Sequence, residues 1–257
     1  MHRISRRSFV TGLVASAALP FVGQARAGNG LASLKFMTEE YPPYNYAEAG
    51  QLRGISVDVV VEMFARVDSG HARSSIEMLP WARGYNLTLQ RGGHALFSTT
   101  RTADREELFK WVGPFVPTVV GLTAHKGRKL TVDNLDTLFQ LRIGVVKDDV
   151  GQLLLKAVGF PEERMEVVVS NDQNYRKLIA GRLDAIAYET EVTRWGLQQL
   201  NANPDDYEVV HELKRSDLYL ALHRQTPDAI VTELQGAFDS MVADGTYQAI
   251  LSGYQAG

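Results

Sequence analysis

The chain has 257 residues, 45% of them hydrophobic and 22% charged, with no cysteine and a formal net charge of −3. This is the composition of a globular protein of one large or two small domains, long enough to bury a core without covalent staples. The missing cysteine excludes a disulfide framework, an iron–sulfur cluster, a cysteine-ligated zinc and a lipid-bearing cysteine anchor, and the scattered histidines show no HExxH or HxH spacing, so no metal and no cofactor is expected.

Residues 1–27 read as an export signal and are set aside from the fold. Arg3, Arg6 and Arg7 lead into an apolar run at residues 9–22, and Ala25-Arg26-Ala27 supplies a small-x-small cleavage pattern. The run is too short and too rich in Gly, Ser and Ala for a membrane span. Within it SRRSFV at residues 5–10 resembles a twin-arginine signal, read by a translocase that carries folded proteins. An ordinary secretory signal that happens to hold Arg-Arg is the alternative, and either one predicts a periplasmic protein with no membrane anchor. Cleavage removes four of the 27 basic residues and none of the 30 acidic ones, leaving 23 against 30, a net charge of −7. Such a chain is unsuited to nucleic acid or to an anionic membrane surface.

From residue 28 onward strands and helices alternate. SLKFMT at residues 33–38 reads as a strand ending in the loop EEYPPYNY, and residues 54–67 place Val57, Val60, Val61 and Phe64 at the spacing of a buried helical face. A strand is predicted at residues 74–79, then a helix with Pro80 in its first turn running to about Gln90, then a short buried strand at residues 94–98. This is the βαβαβ pattern of a doubly wound α/β lobe. A second lobe repeats it, with strands at residues 142–146, 165–170 and 184–189, each followed by a helix. Residues 113–127 and 216–224 are extended and β-prone, and are expected to be two crossing strands that join the lobes. The tail then returns as helices to pack on the first lobe.

Five blocks, EEYPPYNYAEAGQLRGISVDVVVEMF, TTRTADREELFKWVGPF, FQLRIGVV, YRKLIAGRLDAIAYE and FDSMVADGTYQAIL, stand in an order and spacing that resembles the family 3 extracellular solute-binding proteins of ABC transporters. The likeness covers nearly all of the exported chain. It implies the type II periplasmic binding protein fold: lobe one from residues 28–118 and 222–257, lobe two from residues 119–221, two hinge strands, and a small-molecule ligand in the cleft. It also implies a monomer that hands an amino acid or similar zwitterion to ABC permease subunits after hinge closure.

Carried over position by position, the resemblance makes Arg105 the clamp for a ligand carboxylate, with Thr100 and Ser98 adding hydroxyl donors; a planar guanidinium matches a carboxylate with two parallel bonds. Surface pairing of Arg105 with Asp104, Glu106 or Glu107 is the alternative. Arg101 follows directly after a strand, where doubly wound sheets place ligand contacts; it either reads a ligand side chain or pairs with Asp104. Tyr41 matches an aromatic wall position, Trp81 either shares that wall or fills the core, and the phase of Arg83 is open. Glu189 matches an acid that receives the ligand ammonium, and also suits the cap of the helix that follows.

At residues 145–151, VVKDDVG replaces the Gly-Ser/Thr pattern of the family, which offers N–H and hydroxyl donors at a helix start. Asp148 and Asp149 make good caps but repel an anion, so the second carboxylate contact is lost or the ligand carries extra positive charge. The rival reading is an enzyme on the same fold resembling cyclohexadienyl dehydratases, with Glu189 as a desolvated general acid. A membrane receptor's sensor domain is less expected, because no membrane span or signalling module follows.

Overall fold

The computed structural model describes residues 28–255; the export signal expected at residues 1–27 lies outside them. After a one-turn helix α1 (Gly28–Leu31), the chain forms β1 (Lys35–Thr38), a hairpin of β2 (Tyr46–Glu48) and β3 (Gln51–Arg53), and α2 (Ile55–Arg66). Short β4 (Glu77–Met78), α3 (Trp81–Gln90) and β5 (His94–Thr100) complete the first lobe's winding. The second is wound from α4 (Leu135–Phe139), β7 (Ile143–Val146), α5 (Val150–Ala157), β8 (Met165–Val168), α6 (Asp172–Ile179), β9 (Ala185–Glu189) and α7 (Thr190–Gln199).

Two long strands, β6 (Phe109–His125) and β10 (Tyr207–His223), run antiparallel beside each other and join the two windings into one sheet of order β4-β1-β5-β10-β6-β9-β7-β8. At one end β10 pairs with β5 through Leu218 to Leu222, and at the other β6 pairs with β9 through Val120 to Thr123. Pairings at both outer parts of the sheet are parallel, as a βαβ crossover demands. The molecule is therefore two α/β lobes on a pair of shared strands. The tail helices α8 (Asp228–Ala243) and α9 (Thr246–Gln255) turn back, with Tyr254 donating to Asp58 of α2 at 2.7 Å and accepting from the Gly54 N–H at 3.1 Å.

Three local departures from the sequence reading have physical causes. The strand expected at residues 74–79 shrinks to β4, because the Ser75 hydroxyl bonds back to the Ala72 carbonyl and accepts its N–H, holding residues 73–75 in a 3-10 turn. The β2–β3 hairpin was not foreseen: its turn has Ala49 and Gly50 at positive φ, 49° and 77°, the backbone an Asn-Gly pair would advertise. Helix α4 is short and rests on its cap, Asn134, which accepts the Thr137 N–H at 2.9 Å. On α2, Val57, Val60 and Phe64 are buried as their spacing predicts, while Val61 sits at the margin.

Candidate functional site

The carboxyl ends of β1, β5, β7 and β9 all open between the two lobes, and that is where the ionisable side chains converge. Arg105 is 1% exposed despite its charge. Its Nη1 donates to the Thr100 carbonyl at 3.2 Å and its Nη2 crosses to the Asp148 carbonyl of the other lobe at 3.1 Å. The guanidinium lies 5.2 Å from the Trp81 ring centre and 5.0 Å from that of Tyr85, close enough for cation–π attraction. Its Nε has no partner among the described residues. Trp81 Nε1 donates to the same Asp148 carbonyl at 2.9 Å. Asp148 turns that carbonyl toward lobe one by adopting φ 60°, a conformation that Asp tolerates better than most residues.

The residues expected around Arg105 take different parts. Thr100 contributes its carbonyl. Ser98, also at positive φ (58°), gives its hydroxyl to Asn45 Oδ1, and Asn45 in turn donates to the Glu39 carbonyl at 2.6 Å; the hydroxyl holds the loop at residues 39–45. Tyr41 is 2% exposed, and its ring meets Tyr188 of the other lobe edge to face at 5.4 Å. Arg101 stands apart, pairing with both oxygens of Glu106 and lying 5.2 Å from the Tyr219 ring. Its partner is Glu106 rather than Asp104, because the 3-10 turn at Ala103–Leu108 folds Glu106 back over it. Arg83 is exposed on α3.

Glu189 is 1% exposed at the end of β9. One oxygen caps α7 by accepting the Val192 N–H at 2.7 Å, and the other accepts the Tyr44 hydroxyl of the opposite lobe at 3.3 Å. Burial pushes its carboxyl up to about 7, against the opposing pull of the backbone donors at Val192 and Val119. Asp149 is buried and caps α5 through the Gly151 N–H at 3.1 Å. Burial raises its carboxyl too, while Arg105 draws it back down. The helix start sits hard against β9: a Cβ on Gly151 would come within 2.2 Å of the Ala187 carbonyl oxygen. The acidic pair therefore faces the site differently from the sequence reading, Asp148 with a backbone carbonyl and Asp149 with a self-satisfied cap.

Glu39 was missed. It lies at the end of β1, is 8% exposed, and its carboxylate has no hydrogen-bond or ion-pair partner among the described residues. Burial, then the nearby Asp149, raise its carboxyl well above the ordinary range, with Arg105 opposing. It borders a cavity of about 420 Å³ between the lobes, together with Trp81 on its own side and Asn171, Tyr175, Tyr188 and Trp195 on the other. That volume suits a small polar molecule. Glu39 was detectable as the first residue of an acidic doublet at a strand's carboxyl end; the three far-lobe aromatics fell in segments that read only as a strand and two helices. Among the described residues no group of His, Asp and Glu is placed to hold a metal, and no helix is long and apolar enough to cross a membrane.

The family model for bacterial extracellular solute-binding proteins, family 3, matches residues 34–256. No curated protein matches the chain. Among solved structures, a substrate-binding protein of an ABC uptake transporter from Streptococcus pneumoniae with bound histidine superposes at TM-score 0.76, with 13% identity over 91% of this chain and 97% of the other. The arginine-, lysine- and histidine-binding protein of Geobacillus stearothermophilus gives 0.70, with 15% identity over 87% and 96%. A histidine kinase sensor domain similar to periplasmic binding proteins gives 0.72, with 14% identity over 85% and 95%. At such identities these likenesses speak for the fold.

Proposed function

Because the chain belongs to the bacterial extracellular solute-binding proteins, family 3, we propose that it captures an amino acid or similar zwitterion between its lobes and delivers it to an ABC permease in the periplasm. The observation that carries this reading is the cavity of about 420 Å³ lined from both lobes, with Glu39 on its wall, Arg105 against the lining ring of Trp81 and Glu189 bonded to the N–H of the lining residue Val192. A ligand that touches both walls stabilises the closed form relative to the open one, and that difference is what a permease can read. In this reading lobe one is residues 28–118 and 222–257, lobe two is residues 119–221, and β6 and β10 flex where they pass between them.

The contacts across the cleft suggest how capture works. Arg105 and Trp81 of lobe one share the Asp148 carbonyl, and Tyr44 donates to Glu189. These bonds are few and their partners are polar, so opening exposes groups that water satisfies readily. An arriving ligand offers Arg105 a carboxylate in place of a neutral carbonyl, a stronger, charge-assisted partner. Calorimetric titration of the purified protein against the common amino acids and polyamines tests the proposal: saturable one-to-one binding is expected, and silence from folded protein against the whole panel contradicts it.

A second reading rests on one observation, the Glu189 carboxyl raised by burial to about 7, the poise of a general acid at neutral pH. In a dehydratase of arogenate or prephenate this acid would protonate the departing hydroxyl. Formation of phenylalanine or phenylpyruvate, abolished by Glu189→Gln, would support it; no turnover at high protein concentration leaves solute binding as the function.

A further inference from the structure

We propose that the cleft selects a ligand of net positive charge, whose ammonium or guanidinium group sits at Glu39 against the rings of Trp81, Tyr188 and Trp195. This rests on reading the cavity as the solute site.

Three observations point the same way. First, Glu39 is a carboxylate more than nine-tenths buried, it borders the cavity, and it has no partner among the described residues. A buried carboxylate is expensive to ionise; Arg105 offsets part of that cost for Glu39 without bonding to it, and a cation in the cavity would supply the partner the protein leaves out. The other acids on the lining have their own arrangements: Asp172 pairs with Arg176 at 2.9 Å, and Glu40 accepts the Ala47 N–H at 3.3 Å.

Second, no Lys, Arg or His is among the residues lining the cavity, while Trp81, Tyr175, Tyr188 and Trp195 are. Aromatic faces with a carboxylate beside them attract a cation through their quadrupoles and exclude the water that would compete for it.

Third, most of the groups that would welcome a surplus anion are already engaged, the Arg105 Nε being the exception among the described residues. Both Nη atoms of Arg105 are bonded to carbonyls, and the Asp149 carboxylate occupies the start of α5 where an anion would bind. A ligand carboxylate can still displace the Asp148 carbonyl from Arg105, but a second one would face Glu39 and Asp149 with nothing to balance it. The arrangement therefore suits a basic amino acid or a simple di-cationic amine and disfavours an acidic amino acid.

Calorimetric titration of the purified protein with arginine, lysine, agmatine, putrescine, glutamine and glutamate tests this, alongside the same titrations of Glu39→Gln. The expected result is that at least one cationic titrant binds about ten-fold or more tighter than glutamine, that glutamate gives no heat of binding, and that Glu39→Gln weakens the cation by about ten-fold or more with its circular dichroism retained. Glutamine or glutamate binding as tightly as every cation overturns the charge selection and leaves solute capture standing. Silence from all six overturns the charge selection; only silence of the folded protein across the remaining common amino acids and polyamines as well overturns solute capture. Should Glu39→Gln fail to fold, Trp195→Leu, at a partly exposed position, takes its place: loss of about five-fold or more in cation affinity is expected, and unchanged affinity overturns the assignment.

Discussion

Replacing Glu189 with Gln removes one ionisable group from the cleft while keeping its shape and its acceptor for the Val192 N–H. In the folded chain burial holds the carboxyl up to about 7, against an ordinary value of 4.5. Below the ordinary value it is protonated in both folded and unfolded chains, and its titration contributes nothing to stability. As pH rises from 4.5 toward 7 only the unfolded chain ionises freely, so the wild type loses stability through this window. The gap corresponds to up to ~3 kcal/mol, fully lost once pH passes the folded value. Glu189→Gln lacks this loss. Urea unfolding of both proteins at intervals from about pH 4 to about pH 8 reads the effect directly. The stability of the variant minus that of the wild type should rise by ~3 kcal/mol across the range, and the variant should be the more stable above neutrality. A difference that stays flat would mean that Glu189 is ionised in the folded chain at acidic pH and would refute the burial argument.

Other substitutions probe the remaining contacts. Gly151→Ala forces a methyl to within 2.2 Å of the Ala187 carbonyl oxygen, so α5 must move from β9 at a loss of about 1–3 kcal/mol in thermal or urea unfolding. Arg105→Met removes the bonds to the Thr100 and Asp148 carbonyls and should lower stability by about 2 kcal/mol and weaken ligand by about ten-fold or more; Arg105→Lys should recover only part, since an ammonium cannot reproduce the flat fork that reaches both carbonyls. Arg101→Gln breaks a half-exposed ion pair with Glu106 and should change stability by no more than about 1 kcal/mol. It should leave ligand affinity unchanged in titration, and a loss beyond a few-fold would return Arg101 to the ligand.

The alternation of strands and helices was legible because most lobe strands are short apolar runs closed by turn residues, and the longer helices carry an apolar face, as α2 does with Val57, Val60 and Phe64. What escaped was set by backbone rather than by pattern. The β2–β3 turn uses Ala49 where Asn would have signalled the hairpin, and the Ser75 hydroxyl diverts residues 73–75 into a turn by bonding to Ala72. In the site, the family resemblance singled out Arg105, and the structure buries that residue beside the rings of Trp81 and Tyr85. Its partners, however, are main-chain carbonyls, one of them 43 residues away on the other lobe, and no side-chain motif records a carbonyl. Asp148 misled for the same reason: its carboxylate drew notice, while its positive φ and its carbonyl meet Arg105. Tyr175, Tyr188 and Trp195 lie in two helices and a strand whose pattern marks no ligand wall, and only the juxtaposition of the lobes brings them to one cavity.

The central claim is that a small solute binds between the lobes. A crystal structure of the protein with its tightest-binding titrant tests it most directly. The account predicts the ligand in contact with both lobes, between Glu39 and Trp81 on one side and Tyr188 and Trp195 on the other. Ligand held by one lobe alone, or bound outside this cleft, would contradict it.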